Sequence, residues 1–102
     1  MSWEVRYKGQ AKKALKQGSK VLSQDARDAM DALHLDLEED SPTQSIWPNY
    51  SKFKGLGKNV DKRHCHLLKG KPTYVACWEI IDKKKKILEV YYVGTHEKAP
   101  YK

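Results

Sequence analysis

Apolar and polar residues alternate at the start of the chain. Trp3, Val5 and Tyr7 share one face and Glu4 and Arg6 the other, which predicts a short strand over Ser2–Tyr7. Gly9 breaks it. Ala11, Ala14 and Leu15 then recur at helical spacing, with Lys12, Lys13 and Lys16 between them, and Gly18-Ser19 suits the end of a short basic helix. A longer helix follows, with Leu22, Ala26, Ala29, Met30, Leu33 and Leu37 in one stripe and His34 beside it. Ser19 or Ser23 is placed to cap its start. Its acidic end, Leu37-Glu38-Glu39-Asp40, opposes the helix dipole, so fraying is expected there. Residues 43–58 are the least regular, punctuated by Pro48, Gly55 and Gly57, with Trp47, Tyr50 and Phe53 as anchors. From Asp61 the period changes to two. Lys62–Leu68, Thr73–Asp82 and Ile87–Val93 read as three strands joined by two short connections, hence antiparallel hairpins. The order β-α-α-β-β-β predicts an α+β fold, an antiparallel sheet with two helices on one face and the other face partly open.

The chain has 102 residues, 39% hydrophobic and 10% aromatic, enough for one small globular domain over residues 1–102. The longest apolar stretches are too short to cross a bilayer, and no basic region followed by an apolar run opens the chain. Cys65 and Cys77 form no disulfide framework, so a reduced, cytoplasmic protein is expected, with no membrane partner. The net charge of +7 is unevenly placed. Residues 1–51 carry seven basic and eight acidic side chains, and residues 52–102 thirteen basic and five acidic. A one-sided basic surface is the footprint of a polyanion.

Strand alternation puts His64 and His66 on one face and Cys65 and Leu67 on the other. His96 follows the last strand, with Tyr101 five residues beyond. Two imidazoles supply both a general base and a general acid near neutral pH. Cleavage of RNA needs that pair: a base for the 2′-hydroxyl, an acid for the leaving 5′-oxygen, and cations for the charged transition state. Cys65 faces away from the histidines and their spacing matches no common zinc motif, so no metal or other cofactor is expected. Lys52 and Lys54 flank Phe53 with strand-like alternation, as if to meet one phosphate backbone. Gly55-Leu56-Gly57-Lys58 lacks the P-loop spacing, and the Lys83–Lys86 run reads as a solvated turn.

Trp47-Pro48-Asn49, Lys52-Phe53-Lys54-Gly55, Arg63-His64-Cys65-His66-Leu67, Tyr74–Ile81 and Val93-Gly94-Thr95-His96, after a strand and two helices, together resemble the RelE/ParE superfamily of bacterial toxins. The likeness covers nearly all of the chain, and the sequence is similar to the histidine-containing, YafQ-like members. It implies a small twisted antiparallel sheet with two N-terminal helices. It also implies the toxin of a type II toxin–antitoxin system: a ribosome-dependent, metal-independent mRNA endonuclease acting in the A site. Its partners would be the ribosome, mRNA and a DNA-binding antitoxin with acidic, amphipathic segments. The resemblance makes His66 and His96 the acid/base pair, with His64 beside them and Tyr101 stacking on a base. Lys52, Lys54, Lys58 and Arg63 would bind RNA phosphate. Thr73, Tyr74 and Val75 stand where relatives often carry a catalytic Arg or Asp, and the tail is short. The alternatives are a ParE-like toxin that inhibits DNA gyrase and a non-catalytic basic RNA-binding module.

Overall fold

The computed structural model describes residues 2–17 and 22–100. Its elements run β1 (Glu4–Tyr7), α1 (Gly9–Gln17), α2 (Gln24–Glu39), β2 (Ser51–Lys52), β3 (Lys62–Leu68), β4 (Tyr74–Asp82) and β5 (Ile87–Thr95), followed by a 3-10 turn, His96–Lys98. The α+β architecture is the expected one, with a single sheet ordered β1-β5-β4-β3-β2.

Helix α2 begins where Ser23 accepts a hydrogen bond from the Ala26 N–H at 3.1 Å, satisfying a first-turn donor. Its buried stripe is Ala26, Met30, Leu33 and Leu37. The helix includes its acidic end as far as Glu39. Gln44, itself buried, donates to the carbonyls of Asp36 and Ser41 at 3.1 and 2.6 Å. The Trp47 indole N–H donates to the Asp36 carboxylate at 2.8 Å. These bonds tie the segment after α2 to its last turn and supply partners its acids and end carbonyls would otherwise find in water.

The two hairpins, β3–β4 and β4–β5, are antiparallel as their short connections require. Two features of the sheet differ from the sequence reading. Strand β1 lies parallel to β5, pairing Glu4 with Ile87 through Tyr7 with Val90, so the sheet is mixed. A two-residue strand, β2, lies antiparallel against β3 at the far edge, pairing Ser51 with His64 and Lys52 with Arg63. Where β1 has ended, the Gln10 side chain of α1 takes over its role. Its amide nitrogen donates to the Val93 carbonyl and its oxygen accepts from the Val93 N–H, each at 2.9 Å. The β5 edge therefore stays paired at Val93.

The main core lies between the helices and one sheet face. Ala11, Ala14, Leu22, Ala26, Met30, Leu33 and Leu37 meet Cys65, Leu67, Ala76, Trp78, Leu88, Val90 and Val93. Trp78 is fully buried, and its indole N–H donates to the Pro42 carbonyl at 3.2 Å. A smaller cluster of Val75, Cys77 and Tyr92, with Phe53, Tyr91 and Ala99 packed on it, covers part of the opposite face. Cys65 and Cys77 thus belong to different faces. Burial pushes both thiols up to about 12, which keeps them protonated and unreactive near neutral pH.

Candidate active site

The face away from the helices carries the histidines. His64 and His66 project from β3 opposite Cys77 and Val75 of β4, and His96 follows β5. Their rings form a row. The His64 and His66 centroids are 6.2 Å apart at 50°, and the His66 and His96 centroids 5.3 Å apart in a near edge-to-face arrangement at 72°.

Each ring is held through its backbone or its neighbours. Asn49, at φ 55°, turns the chain so that the Pro48 carbonyl accepts from the His66 N–H at 2.8 Å. Asparagine tolerates that left-handed conformation better than most residues. The next two residues reach β2, where Ser51 Oγ lies 3.2 Å from His64 Nδ1. Phe53 continues the alternation of Ser51, and its ring stacks on His64 at 4.9 Å and 2°. On the other side, the His96 N–H donates to the Thr73 carbonyl at 2.8 Å, and the Tyr92 hydroxyl donates to the Thr95 carbonyl at 2.7 Å. Gly94 lies under that hydroxyl. A Cβ there would stand 2.7 Å from the Tyr92 oxygen, so the close approach requires glycine.

Two hollows meet at the His66–His96 pair. One, of about 430 Å³, is lined by Asn49, Tyr50, Ser51, Phe53, His64, His66 and His96. The other, of about 370 Å³, lies between His66, Pro72, Thr73, Thr95, His96 and Glu97. A larger groove along α1, beside Lys12, Lys13 and Lys16, is lined by none of the histidines.

The electrostatics favour neutral rings on β3. Burial is the chief cause of a lowered His64 pKa, with the charges of His66 and His96 adding to it against a hydrogen bond to Ser51. His66 is also lowered, first by burial, then by the charges of His96 and Lys69. Neighbouring imidazoles resist carrying protons together, so the row is suited to holding one ring neutral while another is charged.

Not every sequence candidate joins this site. The alternation that gathers His64 and His66 sends Arg63 to the other face, opposite Trp78. There Arg63 Nε and Nη2 donate to the two Asp61 carboxylate oxygens at 3.0 and 3.1 Å. Its Nη1 donates to Thr43 Oγ1 at 2.8 Å and to the Tyr50 hydroxyl at 3.0 Å. Arg63 is thereby committed to anchoring the segment before β2, away from the histidine row. Lys52 pairs with Arg63 across the sheet and its ammonium lies 3.7 Å from Asp61. Lys54 and Lys58 sit in the exposed stretch after β2, beside Gly55 and Gly57. Lys52 and Lys54 therefore do not converge with the imidazoles. Tyr101 lies outside the described residues.

Ser51, Asn49, Thr73, Thr95 and Glu97 line or support the site and are absent from the sequence candidates. Ser51 had a readable signal in its two-residue step from Phe53, and Asn49, Thr73 and Thr95 stood in the stretches compared with the family. Among the described residues, no group of three or more His, Cys, Asp or Glu side chains is arranged to hold a metal ion. Among them, too, no helix is long and apolar enough to cross a membrane.

No family model and no curated protein matches the chain. Among solved structures it is similar to a chain of the E. coli DinJ-YafQ toxin-antitoxin complex, its toxin YafQ. The superposition has a TM-score of 0.67 at 20% identity and covers 95% of this chain and 96% of that one. The two share a fold: a pair of helices on one face of a five-stranded sheet.

Proposed function

We propose that this protein is the toxin of a toxin–antitoxin pair and an endoribonuclease that cuts messenger RNA in the ribosomal A site, in the cytoplasm. The single observation that carries the nuclease reading is the His66–His96 pair, two imidazoles 5.3 Å apart with a nucleotide-sized hollow on each side. The likeness to a toxin found in complex with its antitoxin supports the toxin reading and an antitoxin partner.

The chemistry is acid/base catalysis through the 2′-hydroxyl. The scissile phosphate lies over the His66–His96 pair, with the flanking nucleotides in the two hollows. His66, whose lowered pKa keeps it neutral, takes the 2′-hydroxyl proton. The oxygen attacks phosphorus and the bond to the 5′-oxygen breaks. His96 gives that oxygen its proton. The products are a 2′,3′-cyclic phosphate and a 5′-hydroxyl, and no redox partner or hydrolytic water enters this step. The positive charge of Lys69, which already acts on His66, favours the added negative charge of the transition state. His64, stacked on Phe53, orients the nucleotide on its side, and Tyr101, similar to the family's late aromatic, is the residue proposed to stack on a base.

The test is a cell-free translation reaction with the purified protein, mapping message ends by primer extension, and a ribosome-free control. Discrete cuts at codon positions that require ribosomes are expected. Intact message would remove the nuclease, and growth arrest with broken DNA in cells that express the protein would then favour a gyrase poison. RNA binding with neither cleavage nor toxicity would leave only a binding module.

A further inference from the structure

The residues displaced from the histidine row form a site of their own. A hollow of about 330 Å³ beside the start of β3 and the end of β4 is lined by Lys52, Lys58, Asn59, Asp61, Ile81 and Lys83, among others. Asp61 is at its base, only 8% exposed. The Lys52 and Lys83 ammonium groups lie 3.7 and 3.9 Å from the same carboxylate oxygen, Oδ2. That carboxylate is already engaged by both prongs of Arg63. One buried negative charge is thus met by one guanidinium and two ammonium groups, with Lys58 on the rim. The local balance is strongly positive. The two lysine pairs are long and their side chains 54% and 73% exposed, so they bind Asp61 weakly and can turn to an incoming anion. Lys83 opens the exposed β4–β5 turn, as the sequence placed it, and its ammonium reaches back toward Asp61.

We infer that the Lys52–Lys58–Lys83 cleft is a second phosphate site, holding the backbone of the same RNA strand several nucleotides from the bond that is cut. This rests on the nuclease reading for the choice of RNA as the anion. The spacing follows from the strand. Asp61, the residue before β3, and His66 within it are five residues apart, or ~17 Å at the rise of an extended chain. A stacked single strand advances ~3.4 Å per nucleotide, so about five stacked nucleotides separate the two phosphates. The path crosses the β2 edge, because Lys52 and the histidines belong to opposite faces.

The cleft therefore acts on long RNA and not on short RNA. The test measures binding of 2′-O-methyl RNA, which cannot be cut through the 2′-oxygen, as a trinucleotide and as a dodecanucleotide over a range of salt. The variants are Lys58→Gln/Lys83→Gln and, as a charge-matched control on α1, Lys12→Gln/Lys16→Gln. For the dodecanucleotide, the cleft variant should lower the salt slope by about 1.4, or about 0.7 per lost phosphate contact, weakening binding about 25-fold at ~0.1 M salt. The trinucleotide should bind the cleft variant and the unaltered protein alike, and the control should leave dodecanucleotide affinity within about twofold of the unaltered protein. Equal losses in the two double variants would mean unspecific attraction and overturn the site. So would equal losses for the two lengths, or no loss at all. Binding is read without cleavage, so an inactive nuclease with an intact cleft, or the reverse, is seen as such.

Discussion

Asp61→Asn keeps the shape of the side chain and removes its charge, and the structure sets what that should cost. In the native protein both carboxylate oxygens accept from Arg63, and the two side chains are 11% and 13% exposed. The asparagine offers one acceptor, and its NH₂ group would face a guanidinium N–H. Removing one partner of a fully buried ion pair costs about 3–5 kcal/mol, because the other charge is left uncompensated. Here Thr43 and Tyr50 still accept from Nη1, and the sheet edge admits water, so a loss of about 2–3 kcal/mol is expected. The more exposed Lys52 and Lys83 pairs add well under ~1 kcal/mol. The assay is urea unfolding followed by tryptophan fluorescence, reading a lower midpoint at unchanged slope. Adding Arg63→Met should cost less than the sum of the two single changes, since the groups act as a pair.

The pH dependence has a definite sign. Burial pushes the Asp61 carboxyl up, but the Arg63 hydrogen bonds and the charges of Arg63, Lys52 and Lys83 outweigh it and hold the folded value below the ordinary 3.8. Between the folded value and 3.8 the unfolded chain binds more protons, so the native protein loses this stabilisation as pH falls through that interval. The gap between the native protein and Asp61→Asn should be constant above that interval and close within it. A loss below about 0.5 kcal/mol at neutral pH, the size of an ordinary surface pair, would refute the reasoning.

Gly94→Ala should force the Tyr92 hydroxyl off its 2.7 Å approach and release its bond to Thr95, lowering cleavage about tenfold or more while most of the fold survives, read by cleavage rate beside a thermal melt. The pH–rate profile should keep its rising limb below 6.5, because burial and neighbouring charge lower both His64 and His66 and the base must be neutral; a limb above 6.5 would oppose the base role of His66. The same lowered values make the unfolded chain the stronger proton binder as pH drops below 6.5, so stability should decline there, and His66→Gln should flatten part of that decline in urea titrations at stepped pH.

Strand β3 was legible to the residue, since Lys62–Leu68 alternates cleanly and its histidines face away from Cys65 and Leu67. The same alternation already placed Arg63 with Cys65, so its separation from the histidines was readable and the phosphate role overlooked it. By the same rule Phe53 faces His64 and Lys52 does not. The parallel seat of β1 beside β5 was not legible. It depends on pairing across some eighty residues, and a two-fold pattern carries no strand direction. Strand β2 is too short to show a period, and only its partner on β3 defines it. The Asp61 cleft escaped because it joins residues from β2, the stretch before β3 and the β4–β5 turn: the sequence assigns Lys52 and Lys58 to RNA phosphate and Lys83 to a solvated turn, and nothing in it joins them around Asp61.

The central claim is that His66 and His96 perform the cleavage, and the most direct measurement is the rate of message cutting by His66→Gln, His96→Gln and the double variant. Each single change should slow cutting by about 10²–10⁴, and the double should be little worse than the slower single, because the two rings act on one proton transfer sequence. Cutting at the native rate in both single variants would contradict the account.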